Sequence, residues 1–167
     1  MSLIRSQEQR YKAKYELRKT EAFDGDELCR HLADGEYKFP FLIYRERVSN
    51  GSNLSMANAG FEHPCTLSVS NGNGIIRLRP LNINAKSSAT QKDMNGRVRG
   101  LKYLTDSGFV SADDDREFIS FPFGVVKFIN IGSGMGQILH GSVCLKMQCS
   151  AGTVHMPEST AIFTVMI

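Results

Sequence analysis

The chain has no tryptophan, only five prolines and four cysteines among its 167 residues, and each scarcity removes a class of answer. Without tryptophan and with five tyrosines, the usual platform for stacking a sugar ring is thin. Apolar residues at 41% and charged residues at 22% fit a folded globular protein and not a disordered one. No apolar run approaches the ~20 residues that a helix needs to cross a bilayer. Leu3 and Ile4 are followed at once by charge, so the opening residues carry no secretory signal. The expectation is therefore an intracellular, reducing compartment in which Cys29, Cys65, Cys144 and Cys149 remain free thiols. No Gly-x-Ser-x-Gly elbow, no Cys-x-x-Cys pair and no Gly-Lys-Ser/Thr phosphate loop occurs. The expectation is a chain with no enzymatic activity, no cofactor and no metal.

What the chain does have is enough apolar sequence for one core. At this length roughly 70% of the unfolded surface is buried on folding, so residues 1–167 read as a single domain. Residues 1–35 read as its helical, basic N-terminal segment, packed on the rest. Arg5 to Thr20 are helix formers with Ile4, Tyr11 and Tyr15 near one face. Asp24 or Asp26 caps a short second helix through Leu28, Cys29 and Leu32, with Gly35 as its stop.

Beyond Gly35 the period changes from that of a helix to that of strands. Phe39 to Val48 alternates, Asn50 to Asn58 reads as a loop, and Cys65, Leu67 and Val69 share one strand face. Asn71-Gly72-Asn73-Gly74 is the sharpest hairpin signal, because Asn-Gly supplies the two positive-φ positions of a tight turn. Ile75 to Leu81 returns from it, and Asn82 to Gly96 reads as a long polar connection. Further strands are expected at Arg97 to Leu104, Glu117 to Phe123, Val125 to Ile131, Ile138 to Cys149 and Thr160 to Ile167. The whole predicts a mainly β fold: an antiparallel sandwich or barrel-like domain with one or two short helices at its N-terminus.

Charge is unevenly spread. Arg10, Lys12, Lys14, Arg18 and Lys19 load the N-terminal helix, and a second basic block holds Arg77, Arg79, Lys86, Lys92, Arg97, Arg99 and Lys102 against Asp93. Residues two apart in a strand share a face, so Arg77 with Arg79, and Arg97 with Arg99, project as pairs. If those strands are neighbours, four guanidiniums lie together, suited to fork onto phosphates. A half-exposed sheet face carrying solvated arginines is the plainer alternative.

Other clusters are weaker. In a helix Cys29 and His31 point apart, whereas His63 and Cys65 share a strand face but lack a second pair of ligands. His140 and Cys144 share a face at roughly 13 Å, too far for a nucleophile and its base. Gly132 to Gly136 reads as a hairpin loop, and Asp113-Asp114-Asp115 as a solvated turn.

In general character, a small basic β domain with a basic helix and no catalytic set resembles viral coat, matrix or movement proteins. The resemblance implies a self-associating protein that binds nucleic acid, RNA in particular. Three other readings compete with it. One is a peripheral protein on anionic membrane, and another is a small-molecule or carbohydrate-binding β-domain. The last is a Cys- or metal-dependent enzyme.

Overall fold

The computed structural model describes residues 22–49, 52–86, 93–131, 138–151, 154–155 and 158–167. The expected helix over Arg5 to Thr20, with its basic residues Arg10, Lys12, Lys14, Arg18 and Lys19, lies outside them, as do Lys92 and the Gly132 to Gly136 turn. In chain order the elements begin with β1 (Ala22–Asp24), α1 (Gly25–Arg30), β2 (Gly35–Phe39), β3 (Phe41–Ser49) and β4 (Ser52–Leu54). A 3₁₀ turn at Met56–Gly60 leads to β5 (Cys65–Ser70), β6 (Asn73–Leu78), β7 (Ile83–Lys86), β8 (Asp93–Thr105) and β9 (Gly108–Ser111). Then come β10 (Asp113–Asp114), β11 (Ile119–Pro122), a second 3₁₀ turn at Phe123–Val125 and β12 (Lys127–Ile131). The chain finishes with β13 (Ile138–Ala151), β14 (Val154–His155) and β15 (Ser159–Met166).

These strands form two antiparallel sheets, so the sandwich expected from the period-2 pattern is what the chain builds. The larger sheet runs β1-β12-β13-β15-β3-β4, with β8 joined to the far half of β13 and carrying β7 and β9. The smaller runs β10-β11-β6-β5-β2. Alternation supplies the core directly. Cys65, Leu67 and Val69 of β5 and Leu139, Val143, Leu145 and Met147 of β13 are all buried in one shared core. Phe121 of the smaller sheet meets Phe163 of the larger edge-on, with ring centroids 5.5 Å apart. The last residue is tied in: Ile167 and Leu139 exchange both backbone hydrogen bonds, at 3.0 and 3.1 Å.

Four local expectations change. The run Phe39 to Val48 is divided at Pro40, which has no N–H to donate, and its two parts belong to different sheets. Part of Asn50 to Asn58 is strand β4 followed by a 3₁₀ turn capped by the Ser55 hydroxyl. Much of the polar stretch Asn82 to Gly96 is the β7–β8 ladder, pairing Ile83 with Gly96 and Lys86 with Asp93. The short helix is capped by Asp24, whose carboxylate accepts from the Glu27 N–H at 3.0 Å, but it ends at His31. Gly35 opens β2 instead of stopping the helix.

The Asn-Gly hairpin forms as expected, with φ of 52° at Asn71 and 76° at Gly72. Replacing Gly72 with Val is expected to cost on the order of 1–3 kcal/mol, because a β-branched residue strongly resists positive φ. Urea unfolding of the variant measures it, and an unchanged midpoint contradicts the turn.

Candidate functional site

The basic block does not assemble. Arg77 lies on β6 in the smaller sheet with Arg79 just past its end, and Arg97 and Arg99 lie on β8 in the larger, so the two arginine pairs never share a ladder. The Arg77 and Arg79 guanidiniums sit over the Phe118 ring, 4.2 and 4.9 Å from its centroid. Arg79 bridges Glu62 at 3.1 Å and Glu117 at 2.8 Å, and Arg77 approaches Glu36 at 3.8 Å. On β8 a bulge breaks the second pair: Val98 opposes Cys149 and Gly100 opposes Gln148, leaving Arg99 as the extra residue. Arg97 donates to the Arg116 carbonyl at 3.4 Å. Lys86 closes the β7–β8 ladder, while Lys102 lies well along β8 and bridges Glu158 at 3.3 Å. Sequence counting missed these acids because they come from distant segments of the chain.

Among the described residues no group of three or more His, Cys, Asp or Glu side chains is placed to hold a metal. His63 stacks on Phe41 at 4.0 Å, and the Cys65 thiol donates to the Phe39 carbonyl at 3.4 Å. The acidic triplet is not wholly the expected turn: Asp113 and Asp114 form strand β10, and Asp115 opens the bend that leads to β11. Asp115 accepts from the backbone N–H groups of Phe118 and Glu117, which hold its carboxyl below the usual carboxylate range.

The concave feature sequence reasoning missed lies on the outer face of the larger sheet. β13 is shared: its first part pairs with β12 as far as Ser142 opposite Lys127, and its later part pairs with β8 from Leu145 opposite Tyr103. Neither ladder pairs Val143 or Cys144 on that edge among the described residues, and the seam opens into a cleft of about 390 Å³. Leu104, Val125, Val143, Cys144 and Ile162 line it with Thr105, Asp106, Lys127 and Ser142.

Registers arrange the outer face into rows across the strands. One apolar row runs Phe109, Leu104, Cys144, Ile162, Tyr44 and Leu54. On one side of it lies Ser111, Lys102, Lys146 and Thr160; on the other, Lys127, Ser142, Thr164 and Leu42. His140 sits beyond Ser142, opposite Ile129 and Met166, so it is two rows from Cys144 and the two make no catalytic pair. The exposed Leu104, at 39%, is apolar area left in contact with water. Only pairing registers reveal the seam, and a single strand's periodicity carries no trace of where its neighbour ends.

The thiols differ sharply. Cys29 is fully buried in α1, and desolvation, with Asp26 and Asp24 adding to it, pushes its pKa up to about 12. Cys65 is buried, whereas Cys144 is partly exposed at the cleft.

No protein-family model and no curated relative matches the chain. Among solved structures, the NEAT5 domain of IsdX2, a B. anthracis hemophore in complex with heme, is 15% identical with a TM-score of 0.48, covering 78% of this chain and 94% of that one. A mutant of the same domain with heme is 16% identical at the same TM-score, covering 79% and 94%. The expectation of a nucleic-acid-binding protein of viral coat type, with RNA or an anionic membrane as partner, is corrected on two grounds. The arginines that carried it are split between two sheets, and Arg77 and Arg79 are answered by Glu36, Glu62 and Glu117.

Proposed function

We propose that the chain is a non-enzymatic, small-molecule-binding β-domain whose site is the seam cleft of β8, β12 and β13. One observation carries this reading: the larger sheet leaves an apolar-floored opening of about 390 Å³ at the point where β13 changes partner. Ligand clefts typically run from about 300 to 1,000 Å³, are mostly apolar, and hold a few polar groups that orient the guest. Here Thr105, Asp106, Lys127 and Ser142 are those groups. Among the described residues no aromatic ring lines the cleft, which favours an apolar guest over a stacked sugar. Among the described lining residues no histidine stands beside the Cys144 thiol. For heme the fit is poor, since among the described residues neither His nor Tyr lines the cleft and Cys144 is its single soft donor. Heme is therefore one arm of the test and not the proposed guest.

The test reads Cys144 directly. In the native protein a thiol reagent is expected to modify Cys144 while Cys29 and Cys65 wait for denaturant, because burial keeps those two as inert thiols. Medium-chain alcohols, medium-chain carboxylates and heme are then added in turn, and peptide mapping follows each site. Slower labelling at Cys144 by any of them supports the cleft. Unchanged labelling with all of them at millimolar concentration overturns it.

A further inference from the structure

The rows on either side of the apolar one are not equivalent, and their difference specifies the guest. Lys102 and Lys146 stand directly opposite each other on neighbouring strands. Like charges so placed destabilise a sheet unless something of opposite sign lies between them. Glu158 serves Lys102, at 3.3 Å, while the Lys146 ammonium lies 4.4 Å over the Phe109 ring. Around the pair is a second hollow of about 210 Å³, whose other charged and polar lining residues are Arg99, Ser111, Asp114, Gln148 and Glu158, so three cations there face two carboxylates. It adjoins the seam cleft. Cys144 and Lys146 are successive outward residues of β13, as Leu104 and Lys102 are of β8, and one such step is roughly 7 Å. Lys127, on the other side of the apolar row, differs: it is single, and Asp24 stands opposite it on β1.

Resting on the small-molecule reading above, we infer that the guest is an amphipathic anion. Its apolar body lies over Leu104, Cys144 and Ile162, and its acid group sits between Lys102 and Lys146. The acid supplies a carboxylate to Lys146, which forms no ion pair among the described residues, beside the Lys102–Glu158 bridge, and the apolar row removes the hydrocarbon from water. Charge-assisted hydrogen bonds to a carboxylate contribute more than neutral ones, and the two lysines offer up to six N–H donors between them.

Octanoate and octanol, matched in chain and differing in charge, separate the two layers of the argument by calorimetric titration. Octanoate is expected to bind the native protein about tenfold more tightly than octanol. In the double variant Lys102→Met/Lys146→Met the two affinities are expected to converge to within about twofold, and Lys102→Arg/Lys146→Arg is expected to keep most of the preference. Thermal unfolding of each variant confirms that it is folded before titration. Equal affinity of the native protein for octanoate and octanol overturns the anion inference and leaves the cleft reading standing. So does a preference abolished by Lys127→Met and untouched by the lysine-pair variant. If neither compound binds, the cleft reading itself fails and the inference falls with it.

Discussion

Gly25→Ala is expected to destabilise the protein by about 3 kcal/mol or more, although alanine is the better helix former by roughly 1 kcal/mol. The reason is contact with backbone. A Cβ built at Gly25 comes to 2.0 Å from the Phe123 carbonyl oxygen and 2.7 Å from its carbon. Neither atom can rotate away as a side chain would. At the same position the Gly25 N–H donates to the Val126 carbonyl at 2.9 Å, locking the first turn of α1 onto the Phe123–Val125 turn. Relief therefore requires α1 to lift, which uncovers the fully buried Leu28 and Cys29. For a domain of this size about 3 kcal/mol lowers the melting temperature by roughly 6–12 °C. Calorimetry of the variant measures it, and a midpoint within a degree or two of native contradicts the close approach.

Phe163→Ala is expected to cost about 3–5 kcal/mol, the usual range for deleting a core phenylalanine. The ring is fully buried at the centre of β15, stacks on Phe41 of β3 at 5.4 Å and meets Phe121 of the opposite sheet at 5.5 Å. Truncation empties the space between the sheets, and the surrounding aromatics are too rigid to fill it. Phe163→Leu retains most of the volume and is expected to cost clearly less. Urea unfolding distinguishes the two. If alanine costs no more than leucine, the ring is not wedged between the sheets.

The sequence made the strands legible wherever one face is buried, because burial on one side writes itself as alternation. Ile138 to Cys149 and Thr160 to Ile167 were readable for that reason, as was the turn at Asn71-Gly72. The stretch Asn82 to Gly96 was not, since β7 and the start of β8 carry only Ile83, Ala85 and Met94 as apolar residues in an otherwise polar run, and they pair through backbone groups common to every sequence. The candidate site was hidden more thoroughly. Leu104, Cys144 and Ile162 come from three strands, and their proximity depends on register, which alternation within one strand cannot supply. The arginines misled for the same reason. Spacing put Arg77 beside Arg79 correctly, but Glu36, Glu62 and Glu117, which answer their charge, lie 38 residues or more away in some cases, as Glu117 does from Arg79.

β13 acts as a spine with two leaves. The leaf of β1 and β12 and the leaf of β7, β8 and β9 are each bound to it, and no ladder joins leaf to leaf among the described residues. Opening either leaf breaks its own hydrogen bonds to the spine and spares the other's, so the two can fray as separate units. A guest seated at Val143 and Cys144 touches both, through Lys127 on one and Leu104 on the other. Occupancy would bind the leaves together, making two independently loosening units into one.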